Sequence, residues 1–191
     1  MAVTYGKVGA IVLAGALLTM PVALRAQAGA EVFTATASVK TAAGGSATAP
    51  VTITVSRKMS EREVEPLLAA FKAGGAAALR KGLVGIAPTG TVRIGAGADT
   101  PTRFTIERVV GAGRLLTIVT DRPLVFLGAG LPGAKSPEGY DFAVIDIEVD
   151  AKGSGSGTMA PAAKLRANQG SLVVDDYGTE GVRLTDVTKT K

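Results

Sequence analysis

The sequence contains no histidine, no cysteine and no tryptophan, and aromatic residues make up only 4% of its 191 residues. Without cysteine the chain cannot form a disulfide framework, and without histidine or cysteine it cannot build a zinc finger or bind haem through either residue. A Ser-His-Asp triad and a Cys-His dyad are excluded for the same reason. Catalysis by carboxylates or by a Ser-Lys pair needs neither residue type and remains open.

The charges do not favour a nucleic-acid partner. Lysine and arginine number 21 against 16 aspartate and glutamate residues, which gives a formal net charge of +5. No basic run is longer than two residues, as in Arg57-Lys58, and few aromatic side chains are present to stack on bases. We therefore expect that nucleic acid is not a partner.

The first 28 residues have the pattern of a Sec-type signal peptide. Lys7 precedes an apolar stretch, Val8 to Met20, which Pro21 ends, and Ala26-Gln27-Ala28 matches an A-x-A cleavage site. The apolar stretch is shorter than the roughly 20 residues of a membrane span. We expect cleavage after Ala28 and a periplasmic or secreted protein with no membrane span. An uncleaved anchor is the alternative.

Short segments in which apolar and hydroxyl-bearing residues alternate predict β-strands in the rest of the chain. Residues 33–39 and 51–55 show this alternation, whereas the small residues of Ala42 to Pro50 predict a loop between them. Further strands are predicted at Thr91–Ile94, Arg103–Val110, Arg114–Thr120, Leu124–Leu127, Tyr140–Val149, Thr158–Arg166, Ser171–Asp176 and Val182–Val187.

The links between these segments are short and rich in glycine. Gly111 to Gly113 is short enough for a β-hairpin. Ser154 to Gly157 has the composition of an interdomain linker, but a strand pattern resumes directly after it, so we interpret Lys152 to Gly157 as a turn. We predict one mainly β domain over residues 29–191, an antiparallel meander that forms a barrel or a sandwich.

Residues 59–83 change to a helical period and predict a helical insertion. Val64, Leu67, Leu68 and Phe71 lie on one helix face, and Ser60 with Glu63 forms a capping-box pattern. Pro66 predicts that the helix either kinks there or begins near residue 65. The Gly74-Gly75 pair predicts the end of this helix, and Ala76 to Lys81 a second short helix that Gly82 ends.

Three carboxylates form a candidate calcium site, because Asp146, Glu148 and Asp150 alternate along one strand face. Calcium prefers such oxygen ligands, but its sites usually wrap backbone carbonyls around the ion, and a straight strand does not. A solvated strand face is the simpler interpretation, so we expect no metal and no cofactor.

A small ligand is a second hypothesis, because a closed barrel of about eight strands can hold one. The candidate ligand-binding residues are Arg122, Phe104, Phe126, Tyr140 and Phe142. Ile106, Leu116, Ile118, Val144 and Leu172 complete the candidate lining of such a cavity. Such apolar residues more often form a plain core, and Arg122 more often belongs to a turn in which it pairs locally with Asp121.

Two further motifs are weaker. Asp175-Asp176, or Glu138 with Asp141, offers paired carboxylates for hydrolysis, but the chain has few aromatic residues to stack a sugar. Gly128 to Gly133 matches G-x-G-x-x-G, but Pro132 and Pro137 oppose the helix that a dinucleotide site requires. We interpret the first as turn residues and the second as a surface loop.

Four segments resemble a family of small exported bacterial proteins of β-rich structure with no assigned activity. They are Met59–Leu83, Thr117–Pro123, Tyr140–Ile147 and Tyr177–Val187. The resemblance implies a shared fold and export, and it carries no functional residue to this chain.

The function predicted from the sequence is a non-catalytic one, a structural or protein-interaction role in the cell envelope. Its basis is the absence of a credible nucleophile–base pair. A carrier of a small apolar ligand in a barrel cavity and a carboxylate-dependent hydrolase are the alternatives. An envelope protein or a small apolar ligand is the expected partner.

Overall fold

A computed structural model describes residues 29–40, 46–126, 138–168, 171–177 and 181–191 of the chain. Within these ranges the chain forms nine β-strands and one helix. They are β1 (Glu31–Lys40), β2 (Ser46–Val55), α1 (Glu61–Val84), β3 (Gly90–Ile94), β4 (Thr100–Val110), β5 (Gly113–Thr120), β6 (Phe142–Val149), β7 (Ser154–Asn168), β8 (Ser171–Tyr177) and β9 (Val182–Lys189).

Eight of the strands close into an antiparallel barrel. β1 to β6 form a meander in which each strand pairs with the next. The first part of β7 pairs with β6 on one side and with β9 on the other, and β9 returns to β1. β8 lies outside this ring on the second part of β7. The prediction of a mainly β fold with a helical insertion is confirmed, and the architecture is a barrel.

The barrel interior is a packed apolar core because the strands alternate. In β1, Phe33, Ala35, Ala37 and Val39 are buried, and hydroxyl-bearing residues separate them. They belong to one cluster with inward side chains of the other barrel strands, among them Ile53, Leu116, Ile118, Ile145, Ile147, Met159 and Leu184. The interior of an eight-stranded barrel is just wide enough for side chains to fill it.

Ser154 to Gly157 is the start of β7, and its interpretation as part of a turn was wrong. A Cβ atom on Gly155 would collide with the carbonyl oxygen of Glu148, and one on Gly157 with that of Asp146. Glycine here lets β7 approach the backbone of β6 where the barrel closes. A composition typical of linkers therefore marks a close strand contact in this protein.

Two other boundaries differ from the prediction, and one turn agrees with it. Residues 46–50 belong to β2, where Ala47 and Ala49 pack against the barrel core. Residues 124–126 form no strand beyond an isolated bridge at Phe126; Leu124 and Phe126 are apolar because they are buried.

The predicted hairpin joins β4 to β5 through Gly111, whose φ of +55° suits glycine. The G-x-G-x-x-G motif and residues 1–28 lie outside the described residues.

Helix α1 begins where the capping-box pattern predicts. The carboxylate of Glu63 accepts hydrogen bonds from the backbone amide of Ser60 at 2.8 Å and from its hydroxyl at 2.9 Å. The helix starts at Glu61 and keeps helical backbone angles through Pro66, so the prediction of a start near residue 65 was wrong. In the described part of the chain, no helix has the length and apolar character needed to cross a membrane.

The helix folds back on itself at Gly75, the predicted break. This residue has φ +64° and ψ −154°, and the second segment runs past Gly82 to Val84. A Cβ atom on Gly82 would lie 2.9 Å from a methyl group of Leu67. In a straight helix these two residues would be about 22 Å apart, so the two segments form a hairpin.

The helical hairpin covers part of the outer surface of the barrel. Val64, Leu67, Leu68, Leu79 and Leu83 are its buried residues. They form a second core with outward-facing side chains of the strands, namely Phe104, Val119, Phe142, Val144, Ala160, Ala163, Leu165 and Leu172. The described residues therefore form two apolar cores, one inside the barrel and one between the barrel wall and the helix.

Candidate functional site

The residues predicted to line a barrel cavity are divided between the two cores. Phe126, Leu116 and Ile118 face the barrel interior. Phe104 and Phe142 lie outside the barrel beneath the helix, as do the remaining predicted lining residues, Ile106, Val144 and Leu172. The structure corrects the prediction at this point, because β6 buries apolar side chains on both faces and the sequence pattern does not distinguish inside from outside.

The two polar candidates, Arg122 and Tyr140, are each hydrogen-bonded to an aspartate. The Nε of Arg122 donates to Asp121 at 3.0 Å, which is the local pairing predicted for a turn. Asp121 is only 3% exposed and accepts a second bond from Arg103 at 3.1 Å. The hydroxyl of Tyr140 donates to Asp176 at 2.5 Å, and this bond raises the pKa of Tyr140.

The three calcium candidates have three different environments. Asp146 accepts a hydrogen bond from the hydroxyl of Thr117 at 2.6 Å, and burial raises the pKa of Asp146. Glu148 is exposed. Asp150 caps the turn before β7 through the amides of Ser154 and Lys152, and these bonds lower the pKa of Asp150. Among the described residues, no three carboxylates lie close enough together to hold a metal ion.

The carboxylates considered for hydrolysis are also engaged separately. Asp175 pairs with Arg166 at 3.4 Å, while Asp176 accepts the Tyr140 hydroxyl. Asp141 lies 3.8 Å from Arg80. Asp175 and Asp176 thus have different partners, although the charges of both raise the pKa of Tyr140.

Five charged residues instead form a cluster at one end of the barrel, which we term the mouth network. It consists of Glu31, Lys58, Glu107, Arg114 and Lys189. Glu31 contacts Arg114 at 2.9 Å, Lys189 at 2.7 Å and Lys58 at 3.2 Å. Glu107 contacts Arg114 at 2.7 Å and Lys58 at 2.5 Å. Each carboxylate in the network is thus held by at least two cations.

Strand alternation directs three of these side chains into the barrel mouth. Glu31, Arg114 and Lys189 stand two residues along their strands from Phe33, Leu116 and Val187, which face inward. In the ring, β1 and β5 are separated by three strands in either direction, so the Arg114–Glu31 pair spans the mouth. The guanidinium also lies 5.8 Å above the ring of Phe33, at the top of the barrel core.

The network keeps its carboxylates ionised. Burial on its own would raise the pKa of Glu31, but hydrogen bonds from Arg114, Lys189 and Lys58 outweigh it and lower the pKa to about 2. The pKa of Glu107 is also lowered, because Lys58 and Arg114 outweigh its burial. Glu31 raises the pKa of Arg114 in return. Carboxylates held in this way are poor general acids and bases near neutral pH.

A second feature is a groove between α1 and β4, which we term the helix groove. It is an open cleft of about 620 Å³. Its floor consists of Met59, Val64, Leu68 and Ile106, and its rim of Glu61, Glu65, Ala69, Lys72, Glu107 and Arg108. An apolar floor with a charged rim is a typical lining of a binding site.

The rim charges of the helix groove differ from those of the mouth network. Glu61, Glu65, Lys72 and Arg108 form no ion pair with any described residue. Glu107 lies between the two features and is paired within the network. The helix groove therefore presents charges that remain available to a binding partner.

Neither the mouth network nor the helix groove was predicted from the sequence. Glu31 and Arg114 are 83 residues apart, and their meeting depends on closure of the barrel. The alternation of side chains along a strand places Glu31 and Arg114 each on the same face as an apolar residue that points into the barrel. This is the one feature of the sequence that indicates an inward position for them. Nothing in the sequence indicates that the helix packs beside β4.

The described residues therefore form a charge network at the barrel mouth and an open groove beside the helix. Comparison of the chain with protein-family models, with curated proteins and with solved structures found no match.

Proposed function

We propose that this protein is a non-catalytic interaction module of the cell envelope and that it binds another protein surface through the helix groove. The observation that carries the proposal is the contrast in pairing. The mouth network satisfies its own charges, whereas the rim of the helix groove presents Glu61, Glu65 and Lys72 without ion pairs to described residues, beside an apolar floor.

The two alternative functions receive less support. A carrier of a small apolar ligand needs space inside the barrel, and the inward side chains there pack against one another. A hydrolase needs carboxylates that converge, and Asp175 and Asp176 are bound by different partners. No specific observation on the described residues favours either alternative over an interaction module.

Export to the envelope is part of the proposal. β1 begins at Glu31, after the predicted cleavage site at Ala28, so removal of residues 1–28 leaves every described strand intact. We expect the chain isolated from its native host to be recovered from the periplasm or the medium with Gly29 as its first residue. Recovery from the cytosol with residues 1–28 attached would overturn this part.

The binding function can be tested by photo-crosslinking in the native host. A photoreactive amino acid replaces Ala69, which is exposed at the rim of the helix groove. The matched control replaces Ala98, which is exposed in the turn between β3 and β4. We expect a discrete protein adduct from position 69, none from position 98, and loss of the adduct when Ile106→Asp is added.

The thermal melting temperature of each variant confirms that the barrel is folded. An adduct of equal yield at both positions, or no adduct at position 69, contradicts the proposed function. An adduct that persists with Ile106→Asp contradicts it as well, because that substitution places a charge on the floor of the groove.

A further inference from the structure

We propose that the partner of the helix groove is a second copy of this chain, docked antiparallel about a two-fold axis near Leu68 and Ala69. This inference rests on the proposed function and names the occupant of the same site. It is carried by the order of the charges along α1, because that order makes the helix complementary to itself when it is reversed.

The charges of the groove rim lie on one face of the helix. Glu65 and Lys72 are seven residues apart, which is two turns and about 10 Å along the axis. Ala69 lies on the same face between them, and Glu61 adds a second negative charge at the N-terminal end. The exposed rim of α1 is therefore acidic at one end, small in the middle and basic at the other end.

A two-fold axis reverses this order in the partner. In a symmetric pair each residue i that contacts residue j is matched by j contacting i. With the axis midway between residues 65 and 72, Glu65 of each copy faces Lys72 of the other, so one symmetric contact forms two ion pairs. The single methyl group of Ala69 lets the helices approach to the usual 8–10 Å between axes.

The same arrangement covers the apolar floor. Ile106 is half-buried on the groove floor, where Met59 and Leu68 are already buried, so a second copy covers the remaining apolar surface while the charges fix its register. Glu65 and Lys72 form no ion pair with a described residue of their own chain, so binding of a second copy breaks no such pair. A partner of uniform charge would meet a like charge at one end of the groove.

Analytical ultracentrifugation of the purified chain, combined with charge reversal, tests the inference. We expect a monomer–dimer equilibrium for the unmodified chain. Glu65→Lys alone and Lys72→Glu alone each place like charges opposite one another, and each is expected to raise the dissociation constant roughly tenfold or more. The double variant Glu65→Lys/Lys72→Glu re-forms both pairs with exchanged signs and restores the equilibrium to within about threefold.

Two controls separate these pairs from a general effect of net charge. Lys81→Glu changes the same charge on an exposed part of the second helical segment, outside the helix groove. Glu148→Lys makes the opposite change on an exposed strand residue. Both are expected to leave the dissociation constant unchanged, and circular dichroism verifies that all variants are folded.

The absence of native cysteine allows a second, independent measurement. In an Ala69→Cys variant the two introduced thiols lie next to the axis and are expected to form an intermolecular disulfide under mild oxidation. Such a bridge forms without distortion only when the Cα atoms are within about 7 Å. Ala98→Cys is the matched control and is expected to remain monomeric.

A chain that stays monomeric at all concentrations, and whose Ala69→Cys variant forms no intermolecular disulfide, overturns the inference. So does a dimer that neither single charge reversal weakens, or one that the double variant fails to restore. These failures are distinct from failure of the proposed function. A crosslinked adduct at position 69 whose mass exceeds that of the chain by another protein leaves the function standing and assigns the groove to that protein.

Discussion

The mouth network and the helix groove are both rich in charge, yet their charges have different surroundings. At the mouth, Glu31 is only 13% exposed and binds three cations, and Arg114 is 22% exposed and binds two carboxylates. At the groove, Glu65 and Lys72 are exposed at a rim and form no ion pair with a described residue.

This difference indicates which charges serve the fold and which are available for binding. Partly buried charges are stable only when they are paired, so the mouth network is expected to contribute to the stability of the monomer. Exposed and unpaired charges contribute little to stability. Removal of a charge should therefore affect folding at the mouth and association at the groove.

The largest expected effect is that of Arg114→Met. The substitution removes ion pairs with Glu31 and Glu107 and the contact above Phe33, and it leaves partly buried carboxylates with fewer partners. We expect a loss of about 3 kcal/mol in the free energy of unfolding, measured by urea denaturation at neutral pH. The control Arg108→Met, at the groove rim, is expected to change it by less than about 0.5 kcal/mol. Equal losses of unfolding free energy in Arg114→Met and Arg108→Met would contradict the conclusion that charges at the mouth stabilise the fold and charges at the groove rim do not.

The next effect concerns pH and Glu31. Its pKa is lowered from 4.5 to about 2, so the stabilisation by its ionised form is complete above pH 4.5. As the pH falls from about 4.5 to about 2, the unfolded chain binds a proton before the folded chain does. The shift corresponds to about 3 kcal/mol, and solvent screening at the barrel mouth reduces the expected loss to about 2 kcal/mol. Unfolding measured across this window should show a weaker dependence on pH in Glu31→Gln. Glu148→Gln is the control and should retain the dependence of the unmodified chain.

The smallest effect tests how α1 holds the groove. Ser60 bonds to Glu63 through its hydroxyl and its amide at the first turn of the helix. Ser60→Ala removes the hydroxyl and is expected to cost about 1 kcal/mol in thermal or urea unfolding. Ser56→Ala, at an exposed position after β2, should cost almost nothing. Because the helix forms one wall of the groove, Ser60→Ala should also weaken crosslinking from position 69. The main effect of Arg114→Met should instead be on the free energy of unfolding.

Local patterns predicted several elements well. Alternation located β1, β5 and β9, and the pair of Ser60 and Glu63 located the start of α1. Composition was misleading at positions where contacts between distant segments determine the conformation of the backbone. Ser154 to Gly157 looks like a linker, but its glycines permit the close approach of β7 to β6. Pro66 suggested a helix boundary, but the helix continues through it and breaks at Gly75.

The candidate site could not be predicted to the same extent. Phe104 and Phe142 were predicted to line one cavity because they are apolar members of predicted strands. Both belong to a second core outside the barrel, which exists because α1 packs against that wall. The mouth network was missed because its members come from five separate places in the chain.

Side-chain periodicity is a local property, so the order of residues was enough to predict a mainly β fold, and the lack of histidine and cysteine was enough to exclude several chemistries. Three features could be seen only in the folded chain: which strand faces point into the barrel, the contact of Arg114 with Glu31 across it, and the groove between α1 and β4. These are contacts between distant segments, and closure of the ring and the fold of the helix at Gly75 bring them together.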